Sequence, residues 1–337
     1  MSDWDAILLV AFGGPEGPED VLPFLENVTR GRRVPRERLL EVAGHYDHFG
    51  GVSPLNDQVR LLMSALEVEL ARREIDLPVY WGNRNWHPML GDVMRQIVED
   101  GRRHVLAIVL AGYSSYSSCR QYLENIDEAR NAVGAGAPEI GKTRAFFNHP
   151  GFVAASADGL SQALAALPDA QVAFTAHSIP SSMADGCAYA AQLTETGRLV
   201  AEACGLGPEQ WDVVYQSRSG RPQDPWLEPD ILDHMRSLHE AGVSSVVAHP
   251  IGFLSDHLEV LYDLDVEAAE LADQLGMSFV RAATVGVHPQ FVDMLGELVA
   301  ERLSDGLPRR VAGVMDPCPD VCMTTCCPSG RPENRGP

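Results

Sequence analysis

Residues 246–265 hold the densest run of titratable side chains in the chain, and their order suggests chemistry. An apolar, strand-like stretch leads into a polar turn and then a helix that Ser255 or Asp256 is able to cap. On that helix Asp256, Glu259, Asp263, Glu267 and Glu270 recur at three- and four-residue steps, which places them along one face. Like charges side by side repel, and a row of acids is commonly a solvated surface. The alternative is a line of hard oxygen ligands that holds or conducts a cation, with the imidazole of His257 beside it. A second histidine, His177, closes the apolar run 171–176 at the edge where open α/β sheets place their ligands. Together His177, His257, Glu259 and Asp263 form a candidate set around one small cavity, joining a neutral-pH base to carboxylates.

Two further groups stand apart from this set. Four of the seven cysteines, Cys318, Cys322, Cys326 and Cys327, fall within ten residues of a Pro-rich tail. Zinc, a labile disulfide and an iron-sulfur cluster are all compatible with such soft ligands. The segment Thr29-Arg30-Gly31-Arg32-Arg33 is unusually basic for this chain, and guanidinium forks suit it to gripping carboxylates. A solvated loop is the plainer reading of that segment.

These residues need a frame, and the pattern supplies one. Strand 6–12 ends in a Gly-Pro turn that opens a helix near Asp20, and a Gly-rich loop at 50–51 feeds a long amphipathic helix over 55–73. Strand 79–82, helix 90–100 and strand 105–110 follow. Gly101 and Gly242 stand at matching points of two similar helix-Gly-strand-polar loop units, and strand 171–176 with its His177-Ser178-Ile179-Pro180 turn echoes the first strand. The expectation is an α/β fold of two similar doubly wound, Rossmann-like halves with parallel sheets and a cleft between their strand ends. Residues 1–150 form the first half, 151–310 the second, ending in a helix over 289–303, and 311–337 the Cys/Pro-rich tail. No GxGxxG or Walker-type loop follows either leading strand, so no nucleotide site is expected.

Bulk properties narrow the classes. At 337 residues the chain has room for about two domains. With 26 basic against 47 acidic residues, the net charge of -21 argues against a nucleic-acid surface and is compatible with cation handling. The polar start and the lack of a long apolar run predict a cytoplasmic protein without a signal peptide or transmembrane segment. In a reducing compartment, clustered cysteines point to metal or redox chemistry rather than a disulfide framework.

Several ordered motifs give the chain a resemblance. They are Leu8-Leu9-Val10-Ala11-Phe12-Gly13-Gly14-Pro15, Gly50-Gly51-Val52-Ser53-Pro54, Thr175-Ala176-His177-Ser178-Ile179-Pro180, Tyr215-Gln216-Ser217-Arg218 with Asp224-Pro225-Trp226-Leu227, and Pro250-Ile251-Gly252-Phe253-Leu254-Ser255-Asp256-His257-Leu258-Glu259-Val260-Leu261-Tyr262. Over residues 5–305 the chain resembles the ferrochelatase family, whose members insert ferrous iron into a porphyrin in haem biosynthesis. The resemblance implies the class II chelatase fold, His177 and Glu259 as the metal-site pair facing the macrocycle, and His257 and Asp263 nearby. It further implies porphyrin contacts at Phe12, Arg30, Arg32, Arg33, Ser53, Tyr113 and Tyr116. Phe12 stands where some Gram-positive relatives carry a metal-touching tyrosine, so the chain is more similar to the actinobacterial branch, which acts on coproporphyrin III to give coprohaem III. Protoporphyrin IX, or cobalt or nickel insertion into a related tetrapyrrole, is the alternative; a haem or iron-sulfur sensor is the non-enzyme one. Some members of the family hold a 2Fe-2S cluster, which implies Cys119 with three of Cys318, Cys322, Cys326 and Cys327 as its ligands. Handover of product to a downstream decarboxylase is the expected partnership.

Overall fold

The structure is a computed structural model that describes residues 3–31, 34–221, 223–304 and 306–330. Among these residues eight strands form two separate four-stranded parallel sheets. The first contains β1 (Ala6–Ala11), β2 (Val79–Asn83), β3 (His104–Val109) and β4 (Glu139–Lys142) in the order β2-β1-β3-β4. The second contains β5 (Gln171–His177), β6 (Trp211–Gln216), β7 (Ser245–His249) and β8 (Ser278–Arg281) in the equivalent order β6-β5-β7-β8. Parallel strands connected through helices are covered on both faces, which is why β1 is an unbroken apolar run with every residue buried. Side chains of a strand alternate between faces. Ile7 and Leu9 accordingly join the large core shared with Leu62, Leu66, Phe152, Phe174 and Leu295, whereas Ala6, Leu8 and Val10 face an outer layer with Leu90, Met94 and Ile97.

The internal echo in the sequence is structural. Gly101 follows helix Leu90–Glu99 and Gly242 follows helix Ile231–Glu240, with φ of 75° and 87°, the left-handed conformation in which a helix ends most easily on glycine. Helix Pro150–Ala166 begins where the first half was expected to end. Division along the chain is nevertheless not division in space. The last helix, Pro289–Leu303, packs on helix Leu55–Arg72 of the first half as well as on Pro150–Ala166. A bidentate, almost fully buried Arg144–Glu301 pair (2.9 and 3.0 Å) ties the end of that last helix to the segment after β4.

The tail crosses both halves. Asn148 holds it through the Ala312 N–H and the Met315 carbonyl (2.8 Å each), and Glu195, on helix Tyr189–Ala203, accepts the Val314 N–H at 3.1 Å. Arg302 and Arg309 both pair with Asp320. Among the described residues no helix is long and apolar enough to cross a membrane.

Candidate active site

His177 is the last residue of β5 and Glu259 lies in the short helix Leu258–Val260 after β7, two neighbouring strands of the second sheet. The loop between β7 and that helix passes against the end of β5. A Cβ on Gly252 would lie 2.5 Å from the Cβ of Ala176, so only glycine permits the approach. The result is convergence on one atom: Nε2 of His257 lies 3.3 Å and Nε2 of His177 3.7 Å from Oε2 of Glu259. The His177 Nδ1 is engaged by the Ser178 carbonyl, which leaves its Nε2 directed at the carboxylate. The His257 ring rests against Phe253 at 4.9 Å, and its buried Nδ1 has no hydrogen-bond partner among the described residues.

Charge in this group is strongly perturbed. Enclosure pushes the Glu259 carboxyl up, but the charge of His177 and the hydrogen bond and charge of His257 outweigh it and bring the group down to about 2. With 47% of its side chain exposed, it is an ionised acceptor open to a ligand. Asp263 moves the other way. Burial raises it to about 7, helped by the charges of Glu259 and Glu267 and opposed by hydrogen bonds from Ser217 and Gln216. Gln216 also binds the Glu259 carbonyl (3.1 Å), and Ser217 takes a left-handed φ of 60° to present its hydroxyl to Asp263.

The acid row on one α-helical face does not survive. Residues Leu261–Ala268 are π-helical, which changes the angular spacing, and neither Ser255 nor Asp256 caps the helix; its N-cap residue is His257, without a side-chain cap. Asp256 instead pairs with Arg281. Glu267 is raised by burial, then by Asp230 and Glu270, whose charges crowd it.

Beside Glu259 stands an apolar wall from the first half. Phe24 packs edge-on with Phe12, Tyr46 and Trp86 at 6.2, 6.3 and 6.2 Å, and Leu258 of the second half joins the same cluster. The Tyr46 hydroxyl is raised by burial and then by the Glu259 charge, so wall and carboxylate sense one another. At the rim His45 stacks on Tyr262 of the π-helix, with centroids 3.8 Å apart.

The expected ring of porphyrin contacts is only partly assembled. Phe12 lines the wall, and Arg30 is exposed on the turn after helix Pro18–Val28; Arg32 and Arg33 lie outside the described residues. Ser53 is buried, its Oγ accepting the Leu55 N–H and packing beside Gly14. Tyr116 donates to Glu124 at 2.8 Å. Tyr113 is a correction: only 2% exposed, it presents no face to a ligand and its hydroxyl donates to the Ile251 carbonyl at 2.9 Å. Sequence reasoning passed over Arg84, one residue beyond β2, whose guanidinium lies 5.7 Å over Phe12 and 4.5 Å over Tyr122. Its place at a strand end was the available signal.

Four of the five candidate thiols come together. Cys119, Cys322, Cys326 and Cys327 line one recess with Arg120 and Leu123, and the Cys326 and Cys327 sulfurs are 3.5 Å apart. Cys318 is left out, facing Ser114 Oγ (3.6 Å) and Gln192 Nε2 (3.4 Å). Cys119 donates to Cys322, which, against the opposing effect of burial and with Lys142, Cys326 and Arg120 also pulling downward, lowers the Cys322 thiol to about 5. Among the described residues the Lys142 ammonium, though buried, reaches only the carbonyls of Thr143 (3.4 Å) and Pro319 (3.2 Å). Among the described residues no three His, Cys, Asp or Glu side chains form a ready-made metal cage, so closure of the recess around a cluster requires adjustment within 322–327.

The architecture is that of a chelatase. A sirohydrochlorin chelatase from Bacillus subtilis, in complex with cobalt, shares the fold at a TM-score of 0.51 and 14% identity, the match covering 89% of this chain and 95% of that one. The Ferrochelatase family model matches residues 4–303. A ferrochelatase of Rhodopirellula baltica is 54% identical over 332 residues, covering 97% of this chain and 94% of its relative. A coproporphyrin III ferrochelatase of Streptomyces coelicolor is 50% identical over 357 residues, covering 98% and 95%. The chain belongs to the ferrochelatase family.

Proposed function

We propose that the chain inserts ferrous iron into coproporphyrin III, with the His177–Glu259 pair at the metal. The observation that carries this reading is the convergence of two imidazole Nε2 atoms on one Glu259 oxygen, beside an aromatic wall that the neighbouring Leu258 joins. Insertion must strip two protons from pyrrole nitrogens while Fe(II) exchanges its water for nitrogen ligands. Glu259, ionised throughout the neutral range, meets the cation, and an imidazole accepts a pyrrole proton. Asp263, poised near 7, can take that proton onward. Phe12 and Trp86, the partly exposed members of the wall, receive the flat face of the macrocycle with the buried Phe24 behind them, and Arg30 and Arg84, together with Arg32 and Arg33, are its carboxylate contacts. The four-propionate substrate rests on the named Streptomyces relative. Cytoplasmic residence and transfer of product to a decarboxylase belong to the same proposal.

The test is Fe(II) insertion into coproporphyrin III and protoporphyrin IX under matched conditions. A clear preference in kcat/KM for coproporphyrin III is expected; equal rates would remove the substrate assignment and leave the chelatase.

For the thiol recess the reading is a 2Fe-2S cluster on Cys119, Cys322, Cys326 and Cys327. Four thiolates are its usual donor set, and the buried Lys142, without a carboxylate partner among the described residues, supplies the compensating charge. When bound, such a cluster supplies cross-linking and one-electron chemistry. The chain's own residues present the tail for it: Arg120 grips the Met323 and Cys326 carbonyls, and Lys142 grips Pro319. Protein purified without oxygen should show sulfur-to-iron absorption and two irons per chain; colourless, iron-free protein refutes the cluster.

A further inference from the structure

Of the acids at 256, 259, 263, 265, 267 and 270, Asp256 and Asp265 pair with a guanidinium, and both pair with the same one. Arg281 ends β8, beside β7, in register with Ala248. Its Nη1 and Nη2 lie 3.0 and 3.5 Å from the two Asp256 oxygens, and its Nε donates to Asp265 Oδ1 at 2.6 Å. Thr284 Oγ1 adds a bond to Asp256 (3.1 Å), and the Asp256 N–H donates to Gln58 Oε1 on helix Leu55–Arg72 of the other half (2.9 Å). The Arg281 side chain is only 16% exposed.

Asp256 and Asp265 bracket His257, Glu259 and Asp263 in sequence. The segment between them has little local support for its shape: its first turn lacks a side-chain cap and its continuation is π-helical, a rare geometry found mostly at functional sites. It also concentrates negative charge that would otherwise drive its ends apart. We propose that Arg281 is a positioning residue for metal insertion, clasping Asp256 and Asp265 so that the Glu259 carboxylate is held facing His177. The inference rests on Glu259 and His177 being the metal-site pair. Arg281 contacts neither; it acts through the two aspartates. The role requires arginine, because a rigid fork spans two carboxylates at once and the point charge of a lysine does not.

The experiment compares Arg281→Met and Arg281→Lys with the parent in Fe(II) insertion, porphyrin affinity by fluorescence and thermal unfolding. A positioning role predicts that kcat falls ~10–100-fold in both variants, the range for residues that orient metal-site groups. Porphyrin affinity should stay within about two-fold, far below a factor-of-ten change. Adding Asp256→Asn to Arg281→Met should cost little more, since the two act as one unit. Lysine keeps the charge and most of the volume, so this variant answers the question if the methionine variant does not fold. A folded Arg281→Lys with parental kcat overturns the proposal, as does a purely additive double variant. Glu259→Gln in the same assay separates the two levels: if it inserts iron normally, the metal-site reading itself falls, whereas its inactivity beside a fully active Arg281→Lys refutes only the clasp.

Discussion

Each half follows its third strand with a polar loop, a π-helical turn and a helix, and the two turns are built and used differently. In the first half the turn Tyr116–Arg120 is closed locally: Ser115 accepts the Ser118 N–H and the Ser118 hydroxyl accepts the Ser115 N–H in return. It carries Cys119 into a recess with the tail thiols. In the second half the turn Leu261–Ala268 has no such cap and is held from outside by Gln216, Ser217 and Arg281. It follows Glu259 and carries Asp263. A self-closed turn can carry a fastening thiol with little dependence on its surroundings. A turn held from outside has its carboxylates aimed by the rest of the fold, as a reacting site requires. Ligand type follows the same division, soft sulfur on one side and hard oxygen with imidazole on the other.

The largest effect that can break this comparison is a direct exchange of losses. Glu259→Gln or His177→Ala should lower the insertion rate by about 10²–10⁴-fold, the range for a positioned acid or base, with porphyrin binding retained. Cys119→Ser should leave most of the catalytic constant in freshly folded protein and lower the unfolding temperature, read by calorimetry together with proteolysis of residues 306–330. Loss of insertion in Cys119→Ser at unchanged thermal stability would show that the first turn takes part in the reaction, and the division would fail.

A smaller effect concerns Asp263. With its carboxyl near 7, the parent rate should climb with pH and level off above neutrality as the group becomes a base, while Asp263→Asn should be slower and lack that limb. Stability runs the other way. Between about 4, its usual range, and 7 the native protein keeps a proton that the unfolded chain has released, so this group makes stability fall as pH rises through the window. Urea titrations at the two ends of the window should show a shallower fall for Asp263→Asn; parallel curves would mean that Asp263 is not the group that titrates there.

How far this contrast was legible in the sequence depends on where its information is stored. β1 is an unbroken apolar run, and the final helix occurs at Pro289–Leu303 as its pattern predicts. The glycines 101 and 242 announced the repeat because a left-handed helix end demands them. Helix Arg36–Asp47 was missed because it buries only Leu39 and Tyr46, too few to print a helical period among its charges. The π-helical turn was read as an α-helix for a different reason. Its shape is fixed by Gln216, Ser217 and Arg281, which no local pattern connects to residues 261–268. His177, Glu259 and His257 were legible as types at strand ends, yet their meeting at one oxygen depended on Gly252 passing Ala176. Cys318 could not be told from its neighbours until Ser114 and Gln192 were seen to face it.

The smallest effect tests the joint between the two loops themselves. Tyr113 follows β3 and its hydroxyl donates to Ile251, which follows β7, so one buried hydrogen bond links the equivalent loops of the two halves. The ring is fixed edge-on against Phe152 and Tyr189, at 6.2 and 6.1 Å, and would survive removal of the hydroxyl alone. Tyr113→Phe would leave the Ile251 carbonyl without this donor, a loss of about 1 kcal/mol in unfolding free energy. Porphyrin KM should not change, because the hydroxyl never meets the cleft. A contact with porphyrin carboxylate would give the reverse result, a raised KM with unchanged stability, and measuring both quantities on one variant therefore decides whether this tyrosine joins the halves or serves the site between them.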